Sequence, residues 1–354
     1  MVPGPQDVSF SRRVWNGLKG IFIGSTHRIS QSFPALTVQN LSRSFSITEL
    51  QQINNAVANE SMLRSSYFSR EGALLRLDSS REVIVVGDLH GNTARLDQIL
   101  REYGPRLAAG EISLVFLGDI IHPEASGRIT DMGSSLEALN TIIRLKQQFP
   151  EQVHLLIGNH DEITPRDENR LNIKRGAIQV LVFEEYLTDY FRNQGLSSEE
   201  TQKMLVGYHN FFESCALSAI IEGEQGSVFM AHSAVIRGGA TEYQLVNART
   251  NGLMSQLLWN SPTGKRTNKR DDYQASDVLA TISSLNLRGG PARTYLLSGH
   301  TPDETKGWLY APFPGVNHYI IHGNVPNSLG VVVISQGLLQ QSPMVTDQVT
   351  ALAS

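Results

Sequence analysis

The chain has 354 residues, 40% hydrophobic and 18% charged, which is enough apolar sequence for a sizeable core in one large α/β domain or two smaller ones. Its formal net charge of -4 provides no global basic field of the kind nucleic-acid binding relies on. The single cysteine, Cys215, excludes an intrachain disulfide framework and fits a reducing, cytosolic setting, and neither a run of roughly 20 apolar residues nor a secretory signal is visible.

Residues 1–45 are rich in Ser, Asn and Gln and read as a partly ordered arm, with Trp15, Leu18 and Phe22 on one face of a short helix. A helix is expected after Ser46, capped by Thr48, with Leu50, Ile53, Val57 and Leu63 at helical spacing. A strand over 83–87 then leads to a helix over 93–104 closed by Gly104. A strand over 113–119, a helix over 134–150 and a strand over 153–159 follow. This alternation argues for βαβ units and a parallel sheet with helices on both faces. Further strands at 216–223, 227–232, 294–300, 317–323 and 328–335 suggest a second sheet mixed with helices. One catalytic domain is expected over 46–336, with a polar tail or linker over 337–354.

Polar residues gather where the apolar runs stop. The first three strands end in Gly87-Asp88-Leu89-His90-Gly91-Asn92, Gly118-Asp119-Ile120-Ile121-His122 and Gly158-Asn159-His160-Asp161. Two later ones end in Ala231-His232-Ser233 and Gly299-His300-Thr301. Ligands of open α/β sheets bind outside the carboxyl ends of the strands. Asp, Asn and His supply oxygen and imidazole donors without thiolate, which suits Mn²⁺, Fe or Zn²⁺. Two such ions ~3.5–4 Å apart need a bridging carboxylate, lower the pKa of bound water and clamp the oxygens of an in-line displacement. Asp119 is the natural bridge. Asp88 and His90 complete one ion, and Asn159, His232 and His300 the other. His160 remains as the general acid for a leaving alkoxide.

These motifs resemble those of the metallophosphoesterases, and within them the phosphoprotein phosphatase branch of serine/threonine phosphatases. Gly87–Asn92 is similar to that branch's GDxHG motif, and Gly158–Asp161 to its GNHE, with Asp for Glu. Phe229-Met230-Ala231-His232 is similar to FxxHGG, with Ser233 and Ala234 for the glycines. Leu257-Leu258-Trp259-Asn260-Ser261-Pro262 resembles LLWSDP, Gly299-His300 matches the last metal histidine, and 324–335 resembles the closing strand. The resemblance covers about 60–335. It implies a calcineurin-like α/β fold, two mixed β-sheets in a central sandwich flanked by helices. It also implies two divalent metal ions on Asp88, His90, Asp119, Asn159, His232 and His300, with His160 protonating the leaving group. Phosphorylated proteins are the implied substrates.

One motif departs from the pattern. GDxVDRG is here Gly118-Asp119-Ile120-Ile121-His122-Pro123-Glu124, so the Asp that supports the catalytic His and an Arg that grips phosphate are both missing. His122 holds the Asp position, and Asp161 or Glu162 is a substitute carboxylate. Arg128, together with Arg270 or Arg266 after the LLW segment, is a candidate phosphate donor beside Asn159. The lost element resembles a small group of bacterial secreted effector phosphatases, the Wip-type proteins, which implies host phosphoproteins as targets and action inside a host cell. Phosphotyrosine is an alternative substrate. GDxxH also occurs in the nuclease branch, so a phosphodiesterase is a second reading. A dinucleoside polyphosphatase and a non-catalytic binding module are further ones.

Overall fold

The computed structural model describes residues 36–59, 68–123, 132–163, 177–224, 226–263, 271–301, 309–321, 323 and 330–334. The face formed by Trp15, Leu18 and Phe22, the position of Leu63 and the tail over 337–354 lie outside them. The described residues fall within one compact unit, Ala35–Ser354.

The described residues open with a one-turn helix, α1 (Val38–Leu41), preceded by Thr37, whose hydroxyl accepts from Asn40 N–H. Val38 N–H donates to Asp97 Oδ1 at 3.1 Å, and the Arg144 guanidinium lies 3.9 Å from the centre of the Phe45 ring. Residues 36–45, part of the expected arm, therefore pack on the domain. Helix α2 (Ile47–Asn59) starts where expected. Its cap is Ser46, not Thr48: Ser46 Oγ accepts from Glu49 N–H at 3.2 Å while Glu49 Oε2 accepts from Ser46 N–H at 3.1 Å. Leu50, Ile53 and Val57 are buried, as their spacing requires.

A hairpin of β1 (Phe68–Glu71) and β2 (Leu74–Leu77) precedes β3 (Glu82–Val86), α3 (Thr93–Ala108), β4 (Ile112–Phe116), α4 (Met132–Gln148) and β5 (Val153–Leu155). Helix α3 does not stop at Gly104. It runs on through Gly104-Pro105, where the Leu36 side chain approaches within 3.3 Å of the position a Cβ on Gly104 would take. Proline in a helix interior costs about 3 kcal/mol, and burial of Tyr103 and Leu107 offsets it. Two long helices follow, α5 (Ala177–Asn193) and α6 (Ser198–Ser214), then β6 (Ser218–Glu222), β7 (Ser227–Ala231), α7 (Glu242–Val246) and α8 (Leu253–Trp259). Short strands β8 (Ser261–Pro262) and β9 (Asp272–Tyr273), helix α9 (Ala275–Leu285), and strands β10 (Thr294–Ser298), β11 (Leu309–Tyr310), β12 (His318–Ile321) and β13 (Val331–Ile334) complete the described chain.

The strands form a seven-stranded sheet, β1-β2-β6-β7-β10-β12-β11, a four-stranded one, β13-β3-β4-β5, and the short parallel pair β8-β9. Strands β3, β4 and β5 are mutually parallel, and β13 joins β3 antiparallel, Val332 opposite Val85. The expected parallel sheet covered by helices on both faces is corrected in one respect. Alternate residues of β3 face different layers: Ile84 and Val86 join the helix-side core, whereas Val83 and Val85 pack with Leu75, Ile221, Met230 and Leu297 of the other sheet. The two mixed sheets thus form a sandwich with helices outside. Each fully buried branched side chain there contributes about 1.5–3 kcal/mol relative to exposure. Among the described residues no helix is long and apolar enough to cross a membrane.

Candidate active site

Five strand ends converge: β3, β4 and β5 from the smaller sheet, β7 and β10 from the larger. The loops are tied directly to one another. His90 and Leu89 N–H both donate to Asp119 O, Gly91 N–H donates to Ile120 O at 2.7 Å, and Gly299 N–H to His232 O at 2.9 Å. Six described non-glycine residues have left-handed backbone, and four of them are here: His90 (φ 47°), Asp119 (51°), His122 (65°) and His300 (69°). Such conformations are unfavourable for L-residues and persist where surrounding structure enforces them. A fifth, Ala234 (φ 63°), stands at the second glycine of the FxxHGG pattern. Two glycines serve close approach: a Cβ on Gly158 would strike Asp119, and one on Gly299 the Asp88 carboxylate.

Asp119 is at the centre. Its Oδ1 accepts from His160 N–H at 2.8 Å, and its Oδ2 lies 3.3 Å from His232 Nε2, 3.8 Å from His90 Nε2 and 4.0 Å from His160 Nε2. His232 Nε2 is also 2.9 Å from Asn159 Oδ1 and 3.1 Å from His300 Nδ1. Its other nitrogen, Nδ1, faces Leu117 O at 3.0 Å, and His90 Nδ1 faces His122 O at 3.1 Å. A carbonyl accepts only from N–H, so in its neutral form each ring turns Nε2 inward as a lone pair. Asp88 Oδ2 accepts from His300 N–H at 2.9 Å, and its buried Oδ1 has no hydrogen-bond partner among the described residues.

Lone pairs thus crowd a buried space, and the electrostatics respond. Burial pushes Asp88 up to about 7, with the charge of Asp119 adding to it and His232 opposing. Burial would also raise Asp119, but His232, His160 and His90 hold it well below the usual carboxylate range. Burial opposes charge on His232, yet Asp119 and Asp88 raise it to about 9. Positive charge is what this arrangement lacks, and a proton on His232 or a cation would supply it. The donor set fits a divalent metal. Two groups have ligand atoms mutually within 4.8 Å, His90/Asp119/His160 and Asp119/His232/His300, and they share Asp119. The first contains His160, the expected acid, instead of Asp88.

His122 is fully buried, its amide donating to Ser135 Oγ at 3.0 Å. Its ring centre is 5.7 Å from that of His160 and 5.7 Å from that of Phe183 on α5. Asp161 does not bond the His160 ring. The tight turn folds its carboxylate back beneath the loops, where Oδ2 accepts from Asp119 and Gly158 N–H (2.8 and 2.9 Å) and Oδ1 from Ile120 N–H (2.8 Å). Arg128, Arg266 and Arg270 lie outside the described residues.

The Leu257–Pro262 segment supports the histidines. Trp259 packs edge-on against His300 with ring centres 5.8 Å apart, Ser233 N–H donates to Leu257 O, and Thr301 Oγ1 bonds Ser261 Oγ. Sequence reading missed Ser135 and Phe183, because nothing in local spacing links them to His122. It also missed Asn92 as the cap of α3, although Asn before a periodic helix was the signal.

The family model for calcineurin-like phosphoesterases matches residues 82–313. The chain is 35% identical over 98 residues to serine/threonine-protein phosphatase BSL2 of Arabidopsis thaliana, covering 27% of this chain and 8% of that protein. It is 26% identical over 187 residues to serine/threonine-protein phosphatase PP2A-like PPG1 of Saccharomyces cerevisiae, covering 51% of this chain and 42% of that protein. The chain thus spans less than half the length of these curated relatives. A solved serine/threonine phosphatase from Saccharomyces cerevisiae, described as similar to human phosphatase PP5, superposes with a TM-score of 0.57 at 16% identity, over 88% of this chain and 90% of that one. That likeness is one of fold and agrees with the sandwich described above. From the strand-end motifs, their convergence and the match over 82–313, the chain belongs to the calcineurin-like phosphoesterase family.

Proposed function

We propose that this chain is a metal-dependent phosphoprotein phosphatase that hydrolyses phosphoserine and phosphothreonine monoesters. The observation that carries the reading is Asp119, the carboxylate shared by two buried groups of ligand atoms. Asp88, His90, Asp119, Asn159, His232 and His300 would hold two divalent cations, Mn²⁺ foremost and Fe or Zn²⁺ as alternatives. Such a pair, when bound, supplies positive charge for the phosphoryl oxygens and an activated water. The chain's own groups do the rest. Leu117 O and His122 O fix the ring orientations of His232 and His90. Asp119 Oδ1 fixes the His160 backbone. His160 gives a proton from Nε2, the nitrogen facing Asp119, to the leaving alkoxide. His122 packs behind that ring where the phosphatase pattern has a carboxylate, and Asn159, Arg270 and Arg128 are assigned to the phosphate. The relatives' names support phosphoprotein substrates.

The test is turnover of phosphopeptides by Mn²⁺-loaded protein. Asp119→Asn should abolish turnover and reduce metal content, whereas His160→Ala should abolish turnover with metal content nearly intact. Absence of hydrolysis of every phosphomonoester would remove the proposal, and equal metal loss in both variants would remove the role of His160. The GDxxH form, with His122 beside His160, favours one second reading, a phosphodiesterase. Rates on a diester and a monoester, measured side by side, decide between them.

A further inference from the structure

A second site lies at the same end of the seven-stranded sheet. Ala231, next to His232, pairs with Ser218, and Ser218 pairs with Leu74, so the Gly72-Ala73 turn lies two strands, roughly 10 Å, from His232. A cavity of about 540 Å³ opens there, between α2, the β1–β2 turn, the end of α6 and the segment after α7. Its lining includes Arg70, Arg249 and four asparagines, Asn54, Asn55, Asn210 and Asn247, and no aromatic side chain.

The charged side chains of the lining are Arg70, Arg249 and Glu213, a net of one positive charge, and Arg70 donates through Nε to Gly72 O at 3.0 Å. Arg249 donates through Nη2 to Cys215 O at 2.8 Å and forms no ion pair with a described carboxylate. Burial holds its pKa below the ordinary guanidinium value, Arg70 adds to that, and exposed Glu213 offsets it in part. A guanidinium has five N–H donors in a fork suited to carboxylates, and one of them is engaged here. Asn54, which is 8% exposed, donates through Nδ2 to Gly207 O at 2.7 Å, while its Oδ1 has no donor among the described residues. Asparagine amides both donate and accept, as peptide groups do. The absence of aromatic lining disfavours a nucleobase, which binds by stacking.

We propose that this cavity docks an acidic peptide segment of the protein substrate, with carboxylates on Arg249 and Arg70 and backbone amides on the asparagines. The proposal rests on the phosphoprotein reading above. Full-length, Mn²⁺-loaded protein is titrated by fluorescence anisotropy with a labelled, unphosphorylated Glu-rich peptide, with its Gln-substituted counterpart, and with inorganic phosphate as competitor. The Glu peptide should bind at least about tenfold more tightly than the Gln peptide. Arg249→Gln should abolish that difference. So should Asn55→Glu, a change at an exposed helix position that leaves the fold intact. On a phosphopeptide flanked by glutamates, both variants should raise KM about tenfold with kcat unchanged, and leave turnover of p-nitrophenyl phosphate as in the parent. Equal binding of the two peptides, Glu-peptide binding that survives Asn55→Glu, or phosphate competing as well as the peptide would each overturn the docking site. Failure of the parent protein to hydrolyse p-nitrophenyl phosphate would overturn the phosphatase reading instead, and the anisotropy data would still judge the cavity.

Discussion

Asp161 offers the sharpest test of how the loops are held. Its buried carboxylate accepts from the amides of Asp119, Ile120 and Gly158, so it joins the ends of β4 and β5. Replacement by Asn leaves one acceptor oxygen. Placed at Oδ2 it keeps the Asp119 and Gly158 amides, and the new NH₂ faces the Ile120 N–H. One orphaned buried amide costs about 1–3 kcal/mol. Replacement by Ala orphans all three, a gross loss of about 3–9 kcal/mol on the same scale. Part of that is returned, because burial and the charge of Asp119 push Asp161 up to about 6 from an ordinary 3.8. The charged form is therefore disfavoured in the folded protein at neutral pH. Removing the charge therefore offsets some of the lost bonds in both variants. The expected order is Ala more damaging than Asn, with Ala destabilising by a few kcal/mol. The assay is urea unfolding of metal-free protein at pH 7, followed by Mn²⁺ titration of the same samples. Loss of less than about 1 kcal/mol in Asp161→Ala, or unchanged Mn²⁺ affinity, would refute the view that this carboxylate sets the Asp119 loop.

Three other expectations follow from the site and its surroundings. His122→Asn keeps a residue tolerant of left-handed backbone and should lower kcat by about 10²-fold or more with metal content retained; unchanged kcat would show that His122 only fills space. Gly299→Ala puts a methyl group where the Asp88 carboxylate sits and should weaken Mn²⁺ binding about tenfold or more by calorimetry; an unchanged Kd would contradict the packing of Asp88. Burial pushes His318 down to about 3 from an ordinary 6.5. The unfolded chain therefore takes up a proton below 6.5 that the folded protein refuses until about pH 3. Its contribution is complete above 6.5 and is lost on acidification, by up to about 5 kcal/mol. Unfolding free energies between pH 7 and 4 should fall more steeply for the parent than for His318→Gln, and equal slopes would refute this.

The strand ends carrying the site were legible because each buried run stops at a polar cluster: Val83–Val86 before Asp88, Leu114–Phe116 before Asp119, Val153–Leu155 before Asn159. What covers those strands was less so. Val83 and Val85 face the second sheet and Ile84 and Val86 face helices, but a strand buried on both sides reads as a continuous apolar run in either case. Helix α3 overran its Gly104 stop because Leu36, distant in sequence, packs against that glycine. The hairpin of β1 and β2 was not read at all, and neither were α5 and α6. The capping box of Ser197 and Glu200 was an available signal for α6. The partners of His122 were illegible for a different reason: Ser135 and Phe183 reach it through tertiary packing. Asp161 was legible as a carboxylate near His160, but direction is a property of the turn, and the turn points it at amides.

The left-handed backbones at His90, Asp119, His122 and His300 set this pocket against the stability of its own scaffold. Glycine adopts such angles freely, and for other residues each instance costs on the order of 1–2 kcal/mol. A chain selected for folding alone would drift toward glycine at these four places and become sturdier and inert. The side chains retained there are a standing concession of robustness to reactivity, written in the main chain rather than in the groups that react.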